Sequence, residues 1–303
     1  MKKIVFISAA IIMASCSLDR KEDFDVDYAI GFQPAMYMHA APSDMDTYPA
    51  DQDFGVSAWS LPEGLSWADD CSEAQDYLSM CCASCDEDGS WSLKEDAFWP
   101  SKEERLTILA YSPYEAACTC DKKDGIVWTD VDIIRNKTDL LFTEPLQDLS
   151  KMDCGGTVTL PFKHALCLVD FRVKHHVGDE DKITVKKIVI DEVHNSGSFR
   201  SLAEPAWVLN DSMASLTIYE GNHVADALPV PIGREWMVIP QALDTQVTVE
   251  YEYAHPYGGH LEMKLKTVPL LTRLISGQRY TFTLTIGIDD VKFLTELIED
   301  RID

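Results

Sequence analysis

Three features of the sequence predict an all-β fold of two tandem antiparallel β-sandwich domains. Short apolar runs alternate with period two, Gly-, Pro- and Asp-bearing breaks separate them, and few windows carry a helical period. The alternation is clearest where Val247, Val249, Tyr251 and Tyr253 share one face and Thr248, Glu250 and Glu252 the other. The 303 residues, 46% hydrophobic and 10% aromatic, suffice for two cores at about 150 residues per domain. The expected division lies at 156/157, with domains over 28–156 and 157–303.

Taken in order, the chain opens with a positive Met1-Lys2-Lys3 and an apolar run from Ile4 to Ala14, the pattern of a secretory signal over residues 1–15. That run is too short to span a bilayer, and no other apolar run approaches 18 residues. It ends Met13-Ala14-Ser15-Cys16, which resembles the lipobox of bacterial lipoproteins. The resemblance implies cleavage between Ser15 and Cys16, lipid chains on Cys16, and outer-membrane sorting because Ser17 rather than Asp follows. Residues 16–27 then read as an acidic tether. From Glu22 to Leu93 there is no Lys or Arg against sixteen Asp and Glu, yet Phe32, Tyr37, Phe54, Trp59, Trp67, Tyr77 and Trp91 supply enough aromatics for a packed domain. Strands are expected at Phe54–Trp59 and at Leu106–Tyr111, the latter stopped by Ser112-Pro113. After a turn at Cys154-Gly155-Gly156 come Thr157–Lys174, Ile183–Val193, Ser215–Tyr219, Glu235–Ile239, Val247–Tyr253, His260–Leu265, Tyr280–Ile288 and Val291–Leu297.

The charge balance narrows the partners. With 26 Lys+Arg against 51 Asp+Glu, a formal net charge of −25 repels phosphate backbones, so nucleic acid is not an expected partner. No G-x-S-x-G, H-E-x-x-H or glycine-rich phosphate loop occurs, and no catalytic residue or cofactor is expected. Adjacent acids such as Asp69/Asp70 and Asp289/Asp290 read as solvated turns rather than a glycosidase pair. Apart from Cys16 there are eight cysteines, Cys71, Cys81, Cys82, Cys85, Cys118, Cys120, Cys154 and Cys167. In an exported chain these form disulfides or stay as thiols, with 105 pairings open. Cys81-Cys82-x-x-Cys85 with Cys118-x-Cys120 has a superficial zinc spacing, but no His lies nearby. Ser84 to Glu95 places Asp86, Asp88, Gly89 and Glu95 at calcium-loop positions, yet begins with Ser and lacks flanking helices, so Asp88-Gly89 reads as a hairpin turn. His164, His175 and His176 spread along one strand and do not converge. No metal is expected.

The order Phe54-Gly55-Val56 with Trp59, then Trp91, Phe98-Trp99-Pro100 and Leu106 through Tyr114, resembles the first domain of fimbrillin-like proteins, the lipoprotein pilins of Bacteroidetes-type bacteria. Asp139-Leu140-Leu141-Phe142, Leu160 through Leu166 and Ser276 through Leu284 match the same pattern, and order and spacing carry the likeness more than any single motif. The resemblance implies a structural fimbrial subunit or pilin-like surface adhesin, not an enzyme, with two transthyretin-like Greek-key sandwiches. Implied partners are other fimbrial subunits, the outer membrane through the lipid anchor, and a ligand on a host or bacterial surface. It further implies donor-strand exchange, in which a protease removes the first strand and a strand of another subunit fills the groove. Here the displaced strand maps to Ala29–Met38, with Ile30, Phe32, Met36 and Met38, and the donor to Val291–Leu297, with Val291, Phe293 and Leu294. Arginine-specific trimming meets a departure, because the only Arg before Arg105 is Arg20, upstream of that strand. The alternative reading is a glycan-binding surface lipoprotein of a nutrient-uptake system. Exposed aromatic platforms would mark that alternative, whereas burial of Trp59, Trp91 and Trp99 favours the pilin reading.

Overall fold

A computed structural model describes residues 28–36, 48–135, 137–178, 182–255 and 260–296. These residues are almost wholly β, as the sequence predicts. The first half contains β1 (Gly31–Met36), β2 (Phe54–Pro62), β3 (Gln75–Cys85), β4 (Trp91–Leu93), β5 (Glu104–Ser112), β6 (Thr119–Asp121), β7 (Gly125–Asp132), β8 (Leu141–Phe142) and β9 (Leu146–Leu149). The middle contributes β10 (Thr157–His164), β11 (Cys167–His175), β12 (Lys182–His194), β13 (Ser196–Arg200) and β14 (Trp207–Leu209). The remainder is β15 (Met213–Val224), β16 (Val230–Val238), β17 (Ala242–Ala254), β18 (Leu261–Arg273), β19 (Arg279–Ile286) and β20 (Val291–Glu296).

The first sheet runs β2-β3-β4-β1-β10-β8-β5-β9, and an additional β2–β5 pairing closes seven of its strands into a ring. Its core is Phe32, Phe54, Val56, Ile108, Leu160, Phe162 and their neighbours. A ring leaves its members no unpaired edge, the one arrangement that removes exposed edge backbone groups outright. Two four-stranded sheets, β16-β11-β19-β20 and β15-β12-β17-β18, make up most of the second half. Their apolar faces merge into one cluster that also includes Trp59, Tyr111 and Trp128 from the first half. A fourth sheet, β14-β13-β7-β6, joins strands from both halves.

Sheet membership moves the expected change of unit. β10 pairs in parallel with β1 and antiparallel with β8, so the strand beginning at Thr157 is hydrogen-bonded into the first sheet, not the second. The chain changes sheet at Ala165-Leu166 instead, inside the stretch expected to be one strand from Thr157 to Lys174. The backbone there is tied crosswise: the Ala165 amide donates to Leu140 at 2.8 Å, and the Ala165 carbonyl accepts from Trp207 Nε1 at 2.7 Å and Ser276 Oγ at 2.8 Å. Nothing in the apolar pattern announces that break, because Ala165 and Leu166 are themselves buried. Two pairings are parallel rather than antiparallel, β1–β10 and β11–β19. β11 is paired on both sides, by β16 and β19, and after Cys167-Leu168 it alternates, burying Val169, Phe171 and Val173 while Asp170, Arg172 and Lys174 take the other face. Arg279 of β19 binds Asp170 of β11 at 2.8 Å and also Glu235 of β16, fixing the order of these three strands.

One close approach tests the ring. A Cβ on Gly55 would lie 2.1 Å from the ring of Tyr111, which is buried on β5 directly across from Gly55. Gly55→Ala is therefore expected to lower stability by about 1–3 kcal/mol, read as a lower urea midpoint with an unchanged slope.

Candidate functional site

The place where strand exchange would act is the slot filled by β1. Its alternation turns Ile30, Phe32 and Met36 inward, all buried, while Gln33 faces solvent. On one side β1 pairs with β10 over six residues, so that Phe32 lies beside Val158, Pro34 beside Leu160 and Met36 beside Phe162. On the other side a single pair, Phe32 with Trp91, joins it to β4. Pro34 supplies no N–H and Gly31 approaches Thr157 closely, a Cβ there meeting Thr157 Oγ1 at 2.9 Å. The entry to the strand is pinned by Ile30 N donating to Ala97 O at 2.9 Å, Trp99 N to Tyr28 O at 2.9 Å and Gly31 N to Gly156 O at 3.1 Å.

Beneath β1 lies an aromatic floor. Phe32 meets Phe54 edge-on with centroids 6.2 Å apart, and Phe54 packs against Trp91 at 5.1 Å and Phe162 at 5.6 Å. Tyr48 stacks on Phe162 at 5.0 Å, and its hydroxyl sits 2.9 Å from both Ser112 Oγ and the Gln52 carbonyl. Burial pushes that hydroxyl well above the ordinary tyrosine value. Tyr48 therefore belongs to the floor and not to the strand it follows. Sequence reasoning missed it, since a lone Tyr in an acidic stretch carries no periodic signal. Met38 and the expected lipidation site Cys16, with Ser15, lie outside the described residues.

The expected donor, β20, is an edge strand held to β19 over six residue pairs. Val291 is buried and Phe293 packs on Phe282 at 5.1 Å and Phe171 at 6.4 Å, whereas Leu294 points outward and is half exposed. β20 is thus built into its own sheet by its odd-numbered residues.

The remaining sequence candidates resolve into local structure. All eight described cysteines are free thiols, and among the described residues no three His, Cys, Asp or Glu side chains gather at a common point. Burial raises the thiols of Cys118 to about 11 and Cys120 to about 12, and Cys167 higher still. Asp86 to Ser90 is a hairpin turn between β3 and β4: Gly89 takes φ +85°, its amide donates to Asp86 O at 2.9 Å, and Ser90 holds the Asp88 carboxyl below its ordinary value. Asp70 accepts from the Ser66 amide at 3.0 Å, and Asp289 binds Lys264 at 2.6 Å. Buried His164 bonds Asp139 within the first unit, while His175 lies at the end of β11 in another sheet. Of the seven tryptophans, Trp59, Trp67, Trp99, Trp128, Trp207 and Trp236 are buried and Trp91 is half-buried on Phe54 and Tyr48.

A protein-family model described as fimbrillin-like matches residues 44–300. A curated relative, fimbrium subunit Fim1C of Phocaeicola vulgatus, is 22% identical over 219 residues, covering 63% of this chain and 56% of that protein. The chain thus aligns with little more than half the length of that relative. Among solved structures, a fimbrial protein from Bacteroides vulgatus superposes with a TM-score of 0.71 at 17% identity, covering 89% of this chain and 98% of the other. A candidate cell adhesion protein from Bacteroides uniformis gives 0.55 at 15% identity over 88% and 97%. At such identities the structural likeness is one of fold.

Two outcomes are expected from this geometry. Phe32→Ala removes a ring buried between the aromatic floor and β10 and should cost about 3–5 kcal/mol in chemical denaturation, while Leu294→Ala, at an exposed position, should stay within about 0.5 kcal/mol. The raised thiols of Cys118, Cys120 and Cys167 favour the neutral form in the folded state. Their stabilisation is complete below the ordinary thiol value of about 8.5 and is lost as pH rises toward 12, so the denaturation midpoint should fall across that window in reducing buffer and fall less steeply if all three are replaced by Ala, the remainder coming from buried tyrosines such as Tyr48 and Tyr111.

Proposed function

The chain belongs to the fimbrillin-like family, and from that premise we propose that it is a structural subunit of a surface fimbrium, anchored first to the outer membrane through lipid on Cys16 and assembled by donor-strand exchange. The observation that carries the reading is the way β1 is held. It is one strand of a closed ring, bound along its length on the β10 side and at a single pair on the β4 side. Taking it out opens the ring between β4 and β10 and uncovers the pockets of Ile30, Phe32 and Met36.

The energetics make an empty slot untenable. Burying each such side chain contributes about 1.5–3 kcal/mol, so three vacated pockets forfeit about 5–9 kcal/mol, comparable to the whole stability of a domain. A strand of another subunit with apolar residues at alternate positions recovers that burial and re-pairs the exposed backbone of β10. For β1 to leave while Tyr48 stays, the cut must fall in residues 37–47, a segment without Lys or Arg. Cleavage after Arg20 leaves β1 in place. In this reading the maturation protease has another specificity, or the chain stays untrimmed as an anchor, tip or accessory subunit. The chain is first of all an acceptor, because β20 can donate only by abandoning β19 and the contacts of Phe293. Burial of six tryptophans and the packing of the seventh leave no tryptophan platform for stacking a sugar, which weighs against the glycan-binding alternative.

The test is assembly. With a specific protease site inserted in 37–47 of the Ser17–Asp303 chain, cleavage should produce a ladder of heat-sensitive oligomers on an unboiled denaturing gel, and excess synthetic peptide spanning residues 28–38 should suppress it. Monomer before and after cleavage would sink the exchange reading.

A further inference from the structure

β18 has a ladder partner, β17, on one side only; among the described residues no strand is hydrogen-bonded to its other side, although β20 of the neighbouring sheet passes close to it. At thirteen residues it is among the longest strands, and an unpaired strand of that length is normally blunted by charge, proline or a bulge. Over Leu261 to Leu265 it has neither proline nor bulge, and its two charges, Glu262 and Lys264, are of opposite sign. The ladder to β17 has no register shift, and the outward face there reads Leu261, Met263 and Leu265, exposed at 62%, 55% and 65%. Pro269 sits further along the same strand. A proline fits in a ladder without a lost bond when its nitrogen faces the open edge. Alternation then turns the amides and carbonyls of Met263 and Leu265, at the same parity as Pro269, toward that edge too.

The segment Leu261-Glu262-Met263-Lys264-Leu265 reads nearly the same in both directions. In antiparallel self-pairing about Met263, Leu261 falls opposite Leu265 on one face and Glu262 falls opposite Lys264 on the other. Met263 meets its own copy on the axis, exchanging both backbone hydrogen bonds. Apolar meets apolar and negative meets positive at every position, which is the self-complementarity a two-fold interface requires. Lys264 already binds Glu262 at 3.1 Å and Asp289 at 2.6 Å within its own chain, so a second Glu262 extends an existing charge network. We propose that β18 is a contact between two copies of this chain, pairing edge to edge about Met263 and joining the two β15-β12-β17-β18 sheets into one of eight strands.

This contact is separate from the β1 slot and requires no trimming. A short edge interface is at the weak end of protein contacts, with a dissociation constant on the order of micromolar to millimolar. The net charge of −25 opposes it, so it should tighten as salt screens the two copies. Along a polymer or on a crowded surface, many such contacts act together.

Sedimentation velocity of untrimmed Ser17–Asp303 in reducing buffer, over rising concentration, reads the equilibrium directly. A concentration-dependent dimer is expected, weakened at least about tenfold by Met263→Lys or Glu262→Lys, each of which sets like charges face to face. Leu294→Lys, on the open edge of β20, should leave it unchanged. Independently of any variant, the amides of Met263 and Leu265 should gain hydrogen-exchange protection with concentration. The proposal is overturned by a monomer at every concentration, by a dimer indifferent to Met263→Lys and Glu262→Lys, or by protection that rises on β20 instead.

Discussion

The first half of this molecule depends on one constraint, that every strand of a closed ring must be paired on both sides. β1 satisfies it for β10 and β4 at once, and it does so with residues remote in sequence from both. The parallel register sets Phe32, Pro34 and Met36 beside Val158, Leu160 and Phe162, so the pairing of β1 and the burial of Phe32 and Met36 are a single event. In the proposed exchange, that coupling calls for replacement of the strand rather than its mere loss. It also explains why Tyr48 is anchored through Ser112 and Gln52: the chain leaving β1 needs a fixed point from which the floor is independent of the strand above it.

The second half solves the edge problem differently. Its two four-stranded sheets are held in order by buried apolar faces and by Arg279 bridging β11, β19 and β16. Open sheets end in edges, here β16 and β20 in one sheet and β15 and β18 in the other. β20 is short and presents Lys292 and Leu294 outward, while β18 is long, apolar on one face over Leu261 to Leu265, and guarded by Pro269 and by the charges of Glu262, Lys264 and Lys266. The acidic balance of the chain supplies a general guard instead. Like-charged copies repel at long range, and only a contact with local charge complementarity overcomes that.

Much of the fold was legible in the sequence because it rests on local pattern. The alternation at 247–253 lies inside β17, and the apolar runs at 54–59 and 106–111 lie inside β2 and β5. What was not legible rests on pairing between distant segments. β10 and β11 look like one strand because the bend at Ala165-Leu166 is fixed by Leu140, Trp207 and Ser276, none of them nearby in the chain. β3 went unseen since its three cysteines and a positive φ at Met80 blur the period. The sheet that unites β6 and β7 with β13 and β14 has no sequence signature at all. Of the slot, Ile30, Phe32 and Met36 follow from the resemblance and are the residues that point inward, whereas Trp91, Phe162 and Tyr48 emerge only from the packing.

The two kinds of edge suggest a division of labour within one chain. In the proposed exchange the edge beside β10 exists only after β1 has gone, so pairing there waits on a covalent event and is then driven by the pockets of Ile30, Phe32 and Met36. The edge of β18 is permanent and shallow, and whatever pairs there does so reversibly. A strand that fills vacated pockets recovers several kcal/mol of burial and stays; a strand laid along an already finished sheet gains a few backbone bonds and a thin apolar stripe. Strength along one direction and exchangeability across another follow from which side of a strand was left open, and at what stage.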